Sequence, residues 1–125
     1  MTILLDTQIF LWFLADSARL SRPVRHRIRD ATVVCVSAAS IWEVAIKSAL
    51  GKLRIEPKAV LQGIPASGFE ELPVLARHAV LVAALAPHHR DPFDRLLVAQ
   101  AMADSLRLLT ADALLGSYGD PVEVV

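Results

Sequence analysis

Four acidic side chains stand where chemistry and ordinary structure compete for them. Asp6 follows the apolar run Ile3-Leu4-Leu5, Glu43 lies in the stretch Ile41-Trp42-Glu43-Val44, Asp94 follows Asp91-Pro92-Phe93, and Asp112 follows Leu108-Leu109-Thr110-Ala111. Carboxylates are hard oxygen donors: singly they cap helices or pair with lysine, and in groups they hold divalent cations such as Mg2+. Each of the four has a structural reading. Asp6 and Asp112 end strands and can cap the helices that follow, and Asp94 sits in the first turn of a helix, where the dipole favours a negative charge. Glu43 has Lys47 four residues later, the spacing of an exposed helix ion pair stabilising by a few tenths of a kcal/mol. The remaining reactive types are sparse. His88 and His89 are adjacent in a proline-bounded loop, which lacks the spacing that puts two ligands on one helix face. Cys35 is the lone cysteine, set in Val33-Val34-Cys35-Val36, so it forms no internal disulfide and reads as a buried thiol.

The elements that must position these side chains alternate between strand and helix. Ile3-Leu4-Leu5 and Val33 to Val36 read as buried strands, the second rich in β-branched residues and suited to cover on both faces. The dense apolar pattern Ile9, Phe10, Trp12, Phe13, Leu14 predicts a helix, and Ser21-Arg22-Pro23 a helix start with Ser21 as cap and Val24, Ile28 and Ala31 on its inner face. A third helix is expected over 40–50, stopped by Gly51. Residues 56–68, with two prolines and two glycines, allow at most a short helix and a turn before a third strand at 69–72. A helix is expected over 75–85, then a polar break, then a helix from Pro92 to Ser105 capped by Asp91. A fourth strand over 106–109, a short helix opened by Asp112 and a fifth strand over 122–125 complete an α/β domain with a mainly parallel sheet. In such a sheet the carboxyl ends of the strands border the ligand crevice, which is where Asp6 and Asp112 fall. Asp94 reaches that rim only if residues 86–92 carry the start of its helix there.

Composition narrows the class. The chain has 125 residues, of which 54% are hydrophobic and 21% charged, enough apolar material for one domain, 1–125, with its own core and too much for disorder. Its unbroken apolar stretches fall well short of the roughly 20 residues that cross a bilayer, and its start lacks a basic signal-peptide region, so a cytoplasmic protein with no membrane contact is expected. Thirteen basic and thirteen acidic residues cancel, leaving no general attraction to a polyanion.

In order along the chain, Leu4-Leu5-Asp6-Thr7, the segment Val36 to Glu43, the segment Asp91 to Ala101 and Leu108 to Asp112 resemble the PIN-domain ribonucleases, and within them the VapC-type toxins, from about residue 3 to residue 116. The resemblance implies a parallel α/β/α sandwich in which Asp6, Glu43, Asp94 and Asp112 meet at one pocket, hold Mg2+ or Mn2+ and cleave RNA phosphodiester bonds. Asp91 falls outside that set and stays a helix cap. The chemistry fits the residue types, because a hard cation can neutralise a phosphoryl group and position a water without histidine or cysteine ligands. Without metal the carboxylates repel, so at least one should bind protons more tightly than usual. Thr7, Ser37 and Thr110 are candidates to orient waters or phosphate oxygens, or else local caps. The basic stretch Arg19, Arg22, Arg25, Arg27 and Arg29 is either an RNA contact or a solvated helix face, and Arg95, beside Asp94, is a closer candidate for an RNA contact.

The resemblance also implies a cognate VapB-type antitoxin and a homodimer. Phe10, Trp12, Phe13, Leu14, Trp42 and Ile46 offer more apolar surface than one side of a small core needs, which predicts a second copy and a groove for an amphipathic antitoxin helix. The competing class is a non-catalytic receiver-like signalling domain that binds Mg2+ through strand-end acids. It fits less well, since Asp6 stands alone and no lysine occurs beyond Lys58.

Overall fold

The computed structural model describes residues 2–125. Five strands, β1 (Thr2–Leu5), β2 (Val33–Ser37), β3 (Glu70–Leu72), β4 (Arg107–Thr110) and β5 (Val122–Val124), form one sheet in the order β3-β2-β1-β4-β5. Every pairing is parallel. Six helices cover it: α1 (Thr7–Leu14), α2 (Arg22–Asp30), α3 (Ala38–Ala49), α4 (Pro57–Ala66), α5 (Ala76–Val82) and α6 (Pro92–Asp104), followed by one 3-10 helix, Ala113–Tyr118.

Alternation along the central strands builds two cores. Ile3, Leu5, Val34, Val36 and Leu109 face a cluster with Ile9, Phe10, Leu11, Ile28, Val44, Val60 and Ile64. Leu4, Cys35 and Leu108 face the opposite cluster with Leu97, Val98, Ala101, Leu115 and Val122. Successive side chains point to opposite faces of a sheet, so a continuous apolar run is what a strand covered on both faces requires. Cys35 is buried and unpaired, and burial raises the pKa of its thiol.

Most element ends are set by identifiable caps. Ser37 caps α3 by accepting the Ala39 N–H at 3.0 Å, which starts that helix two residues before the position expected from the apolar stripe. Ser21 caps α2 through the Val24 N–H. Residues 57–66 form a full helix despite two prolines and Gly63. Pro57 sits in the first turn, where its missing N–H costs nothing, and Gly63 lets α4 press against the Leu14 side chain, which a Cβ would meet at 2.8 Å. α5 ends at Val82, short of the expected 85, and the chain continues in turns. Among the described residues no helix is long and apolar enough to cross a membrane.

The expected surplus of apolar surface is largely consumed internally. Phe10 is fully buried, and Phe13 packs on Phe69 at 5.1 Å beneath the Arg25 guanidinium. Leu14 and Trp42 are the exceptions: Leu14 is 37% exposed, and Trp42 is 61% exposed and meets the Phe93 ring in a T-shaped contact at 5.2 Å.

Candidate functional site

The sheet order reverses between β1 and β4, and the crevice above that switch point is where an open parallel sheet binds ligands. Asp6 stands at its floor, its backbone N–H bonded to Leu109 O across the gap at 3.0 Å. Its two carboxylate oxygens divide the work between structure and site. Oδ1 caps α1 by accepting the Ile9 N–H at 2.7 Å, while Oδ2 accepts the Thr110 hydroxyl at 2.6 Å. Asp112 behaves alike: Oδ1 accepts the Leu114 N–H, capping the 3-10 helix, and Oδ2 faces His89 Nε2 at 2.8 Å. Capping and lining a site are therefore not alternatives for these two residues.

Glu43 projects from the second turn of α3 and Asp94 from the first turn of α6. That Asp94 arrives at the same rim follows from the crossover geometry. α6 ends at Asp104, three residues before β4 begins, and β4 is parallel to β1, so the foot of α6 lies at the amino edge of the sheet. Its start, twelve residues earlier and roughly 18 Å away at 1.5 Å per residue, lies at the carboxyl edge. Asp91 caps this helix through the Phe93 and Asp94 N–H groups, at 2.8 and 3.0 Å. Asp6, Glu43, Asp94 and Asp112, joined by Asp91 and Lys47, line one cavity of about 350 Å3.

The electrostatics of this cavity are those of crowded anions. Asp6 is 5% exposed, and burial raises its pKa against the opposing hydrogen bond from Thr110, with Glu43 adding repulsion. Asp94 is pushed up to about 7, first by burial and then by Asp91, Asp6 and Glu43. Asp112 is held below the usual carboxylate range by the hydrogen bond from His89. Glu43 is 6% exposed, so its pair with Lys47, at 2.6 Å, is not the exposed surface pair that the spacing suggested. Hydrogen bonding to Glu43 raises the Lys47 pKa. Among the described residues, Glu43 Oε1 is the buried side-chain oxygen without a hydrogen-bond partner. An orphaned carboxylate oxygen in a cluster of carboxylates fits a hard divalent cation, which would satisfy it and cancel the repulsion.

The neighbouring polar groups separate into site and scaffold. Thr110 alone of the three hydroxyl candidates bonds an acid of the site. The Thr7 hydroxyl donates to Ser40 and ties α1 to α3, and the Ser37 hydroxyl donates to Gln100. Arg95 is scaffold too. Its guanidinium donates to the carbonyls of Val82, Leu85, Ala86 and His89 and to the Tyr118 hydroxyl, so it clamps the segment between α5 and α6 instead of facing a ligand. Of the basic stretch, Arg25 pairs with Asp16 and Arg27 with Glu123, while Arg19, Arg22 and Arg29 are exposed. His89 is the residue that sequence reasoning set aside and the structure brings in. Its ring folds back on its own segment, Nδ1 accepting the Asp91 N–H at 3.0 Å. The spacing His-x-Asp ahead of a helix cap was the available signal.

The chain and its fold are similar to known proteins. The chain is 30% identical over 131 residues to ribonuclease VapC22 of Mycobacterium tuberculosis, the match covering 96% of this chain and 94% of the relative. Its fold superposes on a toxin–antitoxin complex from Klebsiella pneumoniae with a TM-score of 0.68 at 17% identity, covering 98% of this chain and 96% of that one. It superposes equally, at 0.68 and 13% identity, on VapBC2 from Rickettsia felis bound to a DNA fragment from its promoter, covering 100% and 98%. With the PIN domain family pattern matching residues 3–120, and its acids gathered at the crevice as described, the chain belongs to the PIN domain family.

Proposed function

We propose that this protein is a divalent-cation-dependent endoribonuclease and the toxin of a toxin–antitoxin pair. The observation that carries the reading is the convergence of Asp6, Glu43, Asp94 and Asp112, from four separate segments, on one cavity at the sheet's switch point. RNA as the substrate is supported by the relative named a ribonuclease, and a VapB-type antitoxin as the partner by the likeness to toxin–antitoxin complexes.

Asp6, Glu43 and Asp94 are the residues that would hold Mg2+ or Mn2+, with Asp112 a further ligand or an anchor for water. When bound, the cation supplies charge neutralisation for the phosphoryl oxygens and makes a coordinated water more acidic. The chain's own groups supply the rest. Thr110 fixes the rotamer of Asp6 through Oδ2, the Asp91 cap fixes the first turn of α6 under Asp94, and Lys47 Nζ, 42% exposed at its side chain, offers a donor to a phosphate oxygen. Trp42, exposed on the helix that carries Glu43, supports a second copy of the chain as a further partner. The toxin would act in the cytosol on RNA.

The test is cleavage of a mixed RNA substrate by the purified protein, with Mg2+ or Mn2+ and with EDTA, beside an Asp6→Asn control. Cation-dependent cleavage lost in the control is the expected result. A folded wild-type protein that cuts no RNA under any of these conditions overturns the reading in favour of a catalytically silent adaptor.

A further inference from the structure

His89 enters the acidic cavity from the segment between α5 and α6. Its Nε2 lies 2.8 Å from Asp112 Oδ2 and 3.6 Å from Asp94 Oδ2. One atom from each of the three residues falls within 4.8 Å of the others, close enough for all three to surround one cation. The second ring nitrogen separates a ligand from a donor. Nδ1 accepts the backbone N–H of Asp91 at 3.0 Å. An amide N–H only donates, so Nδ1 presents its lone pair there and the proton of the neutral ring sits on Nε2. Nε2–H therefore points a proton, not a lone pair, at the carboxylates.

Resting on the reading of this cavity as a cation-dependent nuclease site, we propose that His89 is a positioning residue. It donates through Nε2–H to Asp112 Oδ2, holds that carboxylate beside Asp94, and does not itself ligate the cation. Asp112 needs such a hold. It caps a short 3-10 helix from just before its first residue and is partly exposed, and its other oxygen is already committed to the Leu114 N–H. With both oxygens bound the carboxylate has one orientation; with His89 removed, Oδ2 is free to turn toward water.

His89 is itself fixed on three sides. Arg95 donates to its carbonyl at 3.3 Å, to the carbonyls of Leu85 and Ala86 in the same segment and to that of Val82 at the end of α5. Tyr118, at the end of the 3-10 helix that Asp112 caps, donates to Ala86 O at 2.8 Å. Asp91 holds the His89 ring with its N–H and the first turn of α6 with its carboxylate, so one residue sets the relative placement of His89 and Asp94. Partners of this kind, one bond removed from a metal, commonly contribute 10–100-fold to metal affinity.

Mn2+ is the probe, measured on the full chain in three forms: wild type, His89→Leu and His89→Gln. His89→Leu puts an apolar side chain of similar bulk in place of the ring and is expected to bind Mn2+ about 10–100-fold more weakly. His89→Gln, whose amide N–H reaches the position of Nε2–H, is expected to restore affinity to within about threefold of wild type. Pulsed EPR of Mn2+-loaded wild type is expected to show no directly coordinated ring nitrogen, and 15N spectra of the metal-free protein to show the Nε2–H tautomer. A coordinated nitrogen, the Nδ1–H tautomer, or unchanged Mn2+ affinity in His89→Leu overturns the proposal. If His89→Leu does not fold, the two wild-type spectra and His89→Gln decide. None of these readouts depends on RNA. A wild-type protein that binds Mn2+ with these properties yet cuts no RNA defeats the nuclease reading alone, and one that cuts RNA through a coordinated His89 defeats this proposal alone.

Discussion

Replacing Asp94 with asparagine should stabilise the metal-free protein while destroying its activity. Asp94 is held up to about 7 from an ordinary value of 3.8 by burial and by Asp91, Asp6 and Glu43, and its side chain is 20% exposed, so solvent screens this only in part. The sign follows from the protons bound. Below about pH 4 the group is protonated in both folded and unfolded chains and contributes no difference. Between about 4 and 7 the folded state keeps the proton and the unfolded state loses it, so stability falls as pH rises. Above about 7 the cost is complete and constant, and the difference between the two values corresponds to about 4 kcal/mol. Because the neighbouring acids share the same repulsion, that figure is a ceiling. Asparagine removes the charge and keeps the shape, at the loss of a favourable dipole contact in the first turn of α6, about 0.3–1 kcal/mol. The cost of burying the charge among other acids outweighs that contact, leaving a net gain of about 2–3 kcal/mol, or roughly 10 °C in melting temperature. The assay is thermal denaturation in EDTA from about pH 5 to pH 8, repeated with Mn2+. Wild type should lose stability across that range and regain it with the cation; the variant should have a flatter profile and gain little. A variant no more stable than wild type at about pH 8 in EDTA refutes the reasoning that crowded charge, kept for function, strains this site.

Asp6→Asn should fold and lose about 10²-fold or more in cleavage rate, measured under single-turnover conditions with Mn2+; unchanged cation-dependent cleavage refutes its assignment. Thr110→Val, nearly isosteric, removes the hydroxyl that donates to Asp6 Oδ2 and accepts the Asp112 N–H. It should cost about 1–3 kcal/mol in urea denaturation and weaken Mn2+ binding, since that bond opposes the rise that burial imposes on the Asp6 pKa. Arg95→Lys keeps the charge but not the fork that reaches five acceptors, so limited proteolysis should open the chain within 83–90 while the rest stays intact. His78 is fully buried, with Nδ1 accepting the Leu75 N–H and Nε2 on Asp104. His78→Leu should destabilise by about 2–3 kcal/mol through the groups it strands without changing Mn2+ affinity.

The sequence by itself determined the strands, the caps and the identities of the acids. Local rules were sufficient for these: runs such as Ile3-Leu4-Leu5 are buried on both faces because a parallel sheet covers both, and Ser21, Asp91 and Asp112 satisfy N–H groups within three residues of themselves. The order of the four acid-bearing segments was also legible, and with it the PIN domain resemblance. What only the tertiary structure decided depends on contacts between residues far apart in the chain. The rim on which Asp94 stands was set by the crossover through α5 and α6, not by any feature near residue 94. The same holds for Glu43, whose lysine partner reads as a surface pair until the helix is packed against the cavity and Oε1 is left buried. Arg95 beside Asp94 looks like an RNA contact in the sequence and is a clamp in the structure, because four carbonyls between Val82 and His89 and one tyrosine converge on it only after folding. His89 went the other way. An adjacent histidine pair lacks ligand spacing along one helix, but 23 residues separate it from Asp112, and a separation of that kind carries no local signal until the sheet brings the two loops to one edge.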